Sequence, residues 1–473
     1  MYKRQTNTST PSVTPSATKT TYTEQPGDAE SPNIYCELKN TTPGKSYLIG
    51  SFTGQNYRAD SAMVDVNGKL RFKKDEPYRP GMYFIVLPDG SNLQLLVDKD
   101  QTMEIRTDIA DIVNTTEVKG NIDTELLYRN IKFETEFNYV ATNLKSRLQQ
   151  TSEGSPEYGP LKVEEEKLLG QRKAHLDEIY NQYPNSFFTS FKRAGQNPTP
   201  KKVLNKDGSK NDALIVYYYR TEFWEGVDFN DERLLYTPVI SNKLKKYIEQ
   251  LTPQHPDSIN SAASFLVDQT LGHPEYLKYF ANYITLKYEP TKTDLMDSEK
   301  VYVHMIQKYF TKDVAFWTDS INIHGLQLRA YEMSGSLTGN KGPDVEAMDP
   351  NGKLQSIYNI KSDYIIVYLF NPTCEHCMIE SPKLVKFYNT WKNKGVEVFA
   401  IGIDTNDKEW KDYIKKTGMN WINVFDPTNR SIYAKYYVDI TPEIYVLNKD
   451  RIIIGKNIKV DQISTIIERD RGY

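Results

Sequence analysis

The sequence predicts a multidomain chain: an N-terminal antiparallel β-sandwich, a central all-α domain and a C-terminal α/β domain. Three observations predict it. The 473 residues exceed what one core holds, since single cores rarely grow past roughly 250 residues. The hydrophobic period changes twice along the chain, from 2 to 3.6 and then to an alternation of both. A hydrophobic share of 38%, with 34 tyrosines, supplies apolar surface for several cores and excludes wholesale disorder. The boundaries fall at 1–31, a leader, then 32–120, 121–338 and 339–473.

The leader is rich in Thr, Ser and Pro, with almost no aliphatic residues. A disordered segment is expected there. It has no apolar h-region, so as written it holds no signal peptide. Its opening Met1-Tyr2-Lys3-Arg4-Gln5 resembles translated adapter sequence, so this says little about compartment.

From Ile34 to about Val118, alternating runs appear at Ser46–Phe52, Ser61–Val66, Leu70–Lys73, Met82–Leu87, Leu93–Val97 and Thr102–Arg106. Asn67-Gly68, Pro80-Gly81, Pro88-Asp89-Gly90 and Lys99-Asp100 separate them with turn chemistry, and Asn-Gly is a strong hairpin signal. Six or seven strands at this spacing suggest a sandwich. From Asp123 to about Gly335 the spacing is helical: Phe133, Phe137, Val140, Leu144 and Leu148 recur every three or four residues, as do Leu169, Arg172, Leu176 and Ile179. Five to eight helices are expected, with the aromatic runs Tyr217–Trp224 and Tyr276–Tyr288 in the core.

From about Gly342, strands and helices alternate. Tyr364–Phe370 is an unbroken apolar run, as in a central strand buried on both faces. A helix over Cys374–Lys392 follows, then a strand at Val396–Ile403, a helix at Asp407–Lys416, and a strand at Trp421–Phe425. A short helix is expected at Ser431–Tyr437, a strand pair at Glu443–Leu447 and Ile452–Ile454, and a closing helix at Gln462–Arg469.

Composition excludes several function classes. The 59 basic and 62 acidic residues leave a net charge of −3, which argues against nucleic acid as a partner. No run of 18 apolar residues exists, so no transmembrane segment is expected. Three cysteines cannot staple a disulfide scaffold.

Two of the three cysteines form Cys374-Glu375-His376-Cys377, between a central strand and a helix. A cysteine at a helix N-terminus faces unpaired N–H groups and the positive end of the dipole, which favour thiolate. The second sulfur, three residues on, shares its helical face and can resolve a mixed disulfide. A zinc site would need a second such pair; Cys36 is distant, and the remaining histidines show no ligand spacing, so no metal is expected. Cys36, in the first strand, reads as a small buried hydrophobe.

The run Cys374-Glu375-His376-Cys377-Met378-Ile379-Glu380-Ser381-Pro382 resembles the C-x-x-C-x-x-E-x-P active-site helix of the TlpA/ResA-like thioredoxins. Asp349-Pro350-Asn351-Gly352-Lys353 resembles the hairpin before their first core strand, and Thr441-Pro442 their cis-proline loop. The resemblance covers about 340–473 and implies a thioredoxin fold. The upstream parts resemble the uncharacterised N-terminal domains of Gram-negative envelope members. The implied activity is thiol-disulfide exchange without a cofactor: Cys374 attacks, Cys377 resolves, Glu380 shuttles protons, and Thr441, Pro442, Glu375 and His376 meet the substrate. The implied setting is the periplasm or cell envelope, with disulfide-containing client proteins and a membrane thiol donor as partners.

The motif departs from the family where Pro372-Thr373 replaces the usual Trp, and where Glu375-His376 fills the gap between the cysteines. His376 favours an oxidising pair and Glu375 opposes it, so the motif leaves reductant, oxidant and isomerase open; reduction of protein disulfides is the leading expectation. Glu380 has a second reading as a solvated helix charge. With about 70% of the chain ahead of the dithiol, the alternative function is a client-binding or scaffold protein with an ancillary thioredoxin fold.

Overall fold

The structure is a computed structural model describing residues 31–427 and 434–472. The expected leader, but for Ser31, lies outside the described residues, as does the start of the helix expected at Ser431–Tyr437. The chain divides into two compact units that part between Tyr247 and Ile248.

The first unit opens with β1 (Asn33–Lys39), β2 (Gly44–Phe52), β3 (Gln55–Val64), β4 (Lys69–Lys73), β5 (Gly81–Val86), β6 (Asn92–Val97), β7 (Thr102–Asp108) and β8 (Glu117–Lys119). They form two four-stranded sheets, ordered β4-β1-β7-β8 and β3-β2-β5-β6. Period 2 sends Ile34, Cys36 and Leu38 of one sheet, and Leu48, Ile85, Leu93 and Leu95 of the other, into one shared core. This is the expected sandwich with one change: β1 and β7 run parallel. The intervening strands supply the long crossover a parallel pair needs. At the Asn67-Gly68 turn, Gly68 has φ +73°, and a Cβ there would strike the Leu38 carbonyl.

Nine helices of eight or more residues, not five to eight, follow among the described residues. In the first unit these are α1 (Ile122–Gln150), α2 (Tyr158–Gln182), α3 (Phe187–Gly195), α4 (Asp212–Thr221) and α5 (Pro238–Lys245). In the second they are α6 (Pro256–Asp268), α7 (Pro274–Lys287), α8 (Ser298–Tyr309) and α9 (Ser320–Ser334). Proline raises the number. Pro238, Pro256 and Pro274 each occupy the first turn of a new helix, where the missing N–H costs nothing.

The second unit continues with the small hairpin β9 (Glu346–Met348) and β10 (Leu354–Ser356), then β11 (Tyr364–Phe370), α10 (Glu375–Trp391), β12 (Val396–Gly402), α11 (Asp407–Thr417) and β13 (Ile422–Val424). It ends with β14 (Glu443–Leu447), β15 (Ile453–Lys456) and α12 (Ile463–Asp470). The five-stranded sheet runs β13-β12-β11-β14-β15, parallel from β13 to β11 and antiparallel beyond. All seven residues of β11 are buried. Tyr364, Ile366, Tyr368 and Phe370 share one core with Cys377 and Leu384 of α10. Ile365, Val367 and Leu369 face the opposite core. This is the α/β thioredoxin fold expected for the C-terminal part.

Candidate active site

The site forms where β11 ends and α10 begins. Asn371 closes the turn: its Oδ1 accepts from the Thr373 N–H at 2.8 Å and hydroxyl at 2.7 Å, while its Nδ2 donates to the Asp404 carbonyl at 3.2 Å. Cys374 takes the N-cap position of α10, with extended backbone. Its thiol is half-buried and lies 3.1 Å from the Thr441 carbonyl. The Thr441–Pro442 peptide is cis. The structure thus brings Cys374, Cys377 and Thr441 together, with Pro442 adjoining and half-buried.

The two sulfurs sit in opposite electrostatic settings. Partial burial pushes the Cys374 thiol up. Hydrogen bonds from the Thr441 side chain, the Cys377 backbone and thiol, and the His376 backbone outweigh it, and the thiol lies below its ordinary value. The Cys377 thiol is fully buried, and desolvation pushes it up to about 12. Residues three apart at a helix start therefore make a ready nucleophile and a protected partner. Glu375 and His376 between them are exposed. Cys36 lies in the sandwich core, where burial drives its thiol to about 12.

Glu380 is placed differently from a solvated helix charge. Its side chain is 14% exposed. Oε1 pairs with Lys383 Nζ at 2.6 Å and Oε2 accepts from the Val460 N–H at 3.1 Å. The carboxylate thereby ties α10 to the turn before α12.

Three hydroxyls beneath Cys377 escaped the sequence reading. Ser381 Oγ lies 2.7 Å from the Tyr368 hydroxyl and 3.0 Å from that of Tyr413, which also donates to the Cys377 carbonyl at 3.0 Å. Tyr368 was hidden inside the apolar run. Ser381 was visible in the motif, but nothing in its spacing marks a role. Among the described residues no group of three His, Cys, Asp or Glu side chains is arranged to hold a metal ion.

Fold and site together define a thioredoxin-fold domain carrying an asymmetric vicinal dithiol. The family model described as thioredoxin-like matches residues 362–453. The thiol-disulfide oxidoreductase ResA of Bacillus subtilis is 27% identical over 122 residues, covering 26% of this chain and 65% of its own length. A domain of a possible thiol-disulfide isomerase from Cytophaga hutchinsonii is 30% identical, covering 29% of this chain and 94% of that domain, with a TM-score of 0.28. The thioredoxin domain of a thiol-disulfide oxidoreductase from Bacteroides vulgatus is 25% identical over 28% of this chain and 96% of its own, with a TM-score of 0.27. Residues 362–453 are thus thioredoxin-like, and the C-terminal domain is similar in sequence to thiol-disulfide oxidoreductases. It spans just under two thirds of the length of the B. subtilis relative.

Proposed function

We propose that the chain reduces protein disulfides in the cell envelope through Cys374 and Cys377. One observation carries the chemistry: a half-exposed thiol lowered by hydrogen bonds stands beside a buried thiol raised to about 12. The Cys374 thiolate attacks one sulfur of a client disulfide. A mixed disulfide forms, and one client thiolate leaves and takes a proton. Cys377 then gives up its proton and attacks Cys374 Sγ. The mixed bond breaks, the second client thiol is released, and a Cys374–Cys377 disulfide remains. Two electrons have passed to the client; a membrane thiol donor returns them. Glu380 enters as the acceptor of the Cys377 proton. Its low exposure suits that role, and giving up Lys383 or the Val460 N–H would free an oxygen. The envelope setting and the donor rest on the resemblance of the motif to the TlpA/ResA-like proteins.

The test is the reduction potential of the pair in the full chain, with turnover of insulin disulfides. A potential near that of thioredoxin, about −270 mV, with catalysed insulin reduction supports the reading. A potential near about −120 mV would make the protein an oxidant. No exchange at all would leave the thioredoxin fold without the activity proposed here.

A further inference from the structure

A cleft of about 250 Å³ in the first unit is lined by Arg172, Phe191, Lys192, Gln196, Asn197 and Val239, among others. Arg172, on α2, is anchored from behind. Its Nε lies 2.9 and 3.0 Å from the two Glu134 oxygens of α1, and its guanidinium carbon stands 5.2 Å from the Phe137 ring centre. Among the described residues its two terminal amino groups carry no hydrogen bond, so the fork is fixed and unspent. Lys192, on α3, is half-buried, and its ammonium likewise has no hydrogen bond or ion pair among the described residues.

We propose that this cleft binds a carboxylate carried on a small apolar body, held by the Arg172 fork and the Lys192 ammonium. Charge balance selects the ligand class. Glu134 neutralises Arg172, and Lys192 leaves one uncompensated positive charge at the cleft. A singly charged, planar carboxylate matches both the count and the fork geometry. A phosphate dianion would overshoot and meet Glu134. Phe191 and Val239 offer the apolar wall. Burial holds the Lys192 ammonium below its ordinary value, against the pull of Glu134 and with the push of Arg172, and an incoming anion would relieve that cost. The C-terminal end of α3, which disfavours anions, also borders the cleft. Its field is largely spent: the Arg193 carbonyl accepts from the Gln196 N–H, the Lys192 carbonyl from the Gln196 amide, and the Gln196 carbonyl from Lys243 Nζ at 2.9 Å. A charge-assisted hydrogen bond exceeds the residual dipole effect severalfold.

The carboxylate has two sources, a free organic acid or an acidic side chain of a bound protein. Calorimetry on the full chain with 4-methylpentanoate, with a short apolar peptide capped at both ends and bearing one Glu, and with inorganic phosphate separates them. The expected result is saturable binding of a carboxylate probe, weakened at least about tenfold in Lys192→Gln and restored by Lys192→Arg, with phosphate weaker. Tighter binding of the peptide assigns a protein side chain, and equal binding a free acid. On the unaltered protein, side-chain NMR should show the Lys192 titration moving up when the probe binds, which does not depend on any variant folding. No saturable binding up to about 10 mM, phosphate binding as tight as carboxylate, or an unmoved Lys192 titration would overturn the proposal.

Discussion

Cys374 and Cys377 are three residues apart, yet their surroundings separate their chemistry. Desolvation acts on both thiols. At Cys374 it is small enough for the Thr441 side chain and two backbone N–H groups to win; at Cys377 it outweighs the opposing hydrogen bonds of the Asn371 backbone and the Thr441 side chain, and Cys374 adds to the rise. The thiolate of Cys374 should therefore form below the ordinary thiol range, and Cys377 should stay protonated until about pH 12. Alkylation followed by mass spectrometry across pH 6–10 should label Cys374 first and leave Cys377 and Cys36 almost untouched; equal labelling of the two motif cysteines would contradict the geometry. Cys374→Ser should bring disulfide exchange to background, Cys377→Ser should accumulate mixed disulfides, and Cys36→Ala should change neither. Glu380→Gln probes the proton step. Gln can still accept from the Val460 N–H, so the link between α10 and the following turn is kept while the base is lost. Stopped-flow mixing with a model disulfide should show resolution slowed by about 10²-fold with initial attack unchanged. An unchanged resolution rate would reduce Glu380 to a tie between elements.

Elements with a marked apolar pattern, alternating, helical or unbroken, were legible in the sequence, and those without one were not. The seven apolar letters of β11 and the helix after Cys374 appear within two residues of their expected ends. The first half of β3, Gln55–Asp60, was missed because it is polar and largely exposed: it lies on the sheet edge, where nothing demands alternation. The aromatic run at α4 misled in the other direction. Phe223 and Trp224 are buried, but Tyr217 and Tyr218 are 57% and 36% exposed. Long-range joints between elements carry no sequence signal at all. Asp123, near the start of α1, accepts from the Phe188 N–H of α3 at 2.8 Å across 65 residues. Burial raises its carboxyl from 3.8 to about 6, against that hydrogen bond. The folded state thus holds this proton more tightly than the unfolded chain. Its contribution is full below about pH 3.8 and is lost as the pH rises through about 6. Asp123→Asn should remove that pH-dependent loss and leave the first unit at least as stable near pH 7. Asp123→Ala should cost about 1–3 kcal/mol by stranding a buried N–H. Urea unfolding at pH 4.5 and 7 distinguishes the cases, and identical pH slopes in wild type and Asn variant would refute the assignment.

For the whole molecule, the question is which length of chain carries the dithiol site as a stable body. Sequence periodicity places a border near residue 338, where helices give way to alternating strands. Side-chain chemistry crosses that border within the second unit. Lys456 of β15 is fully buried and pairs with Glu299 of α8, and Asn457 Nδ2 donates to the same carboxylate at 3.4 Å. Asp297, which accepts from the Thr338 N–H at 2.8 Å and from its hydroxyl at 2.5 Å, reaches across by its charge, favouring the ammonium of Lys456 against burial. Arg329 of α9 pairs with Asp439 at 3.0 Å, just ahead of the Thr441–Pro442 loop. Glu443, next after that loop, is buried; desolvation raises it to about 8, and Asp439 and Asp297 push the same way. Lys456, Asn457 and Asp439 thus meet charged partners that lie on the helices before the border. A fragment beginning at 339 would keep Lys456, Asp439 and Glu443 but lose Asp297, Glu299 and Arg329. Removing one partner of a buried pair typically costs about 3–5 kcal/mol, less where water can reach the stranded charge. The fragment 248–473 should therefore unfold in one transition with Cys374 as reactive as in the full chain. The fragment 339–473 should be less stable by a few kcal/mol, and its Thr441 loop should hold Cys374 less firmly, so that thiolate formation moves to higher pH. Urea denaturation of both fragments, with alkylation rates across pH, measures the two effects. Equal midpoints and equal Cys374 profiles would show that the helices before residue 339 add nothing to the dithiol domain. A loss of midpoint alone, with the profile unchanged, would confine their contribution to stability and leave the Thr441 loop independent of the buried charges behind it.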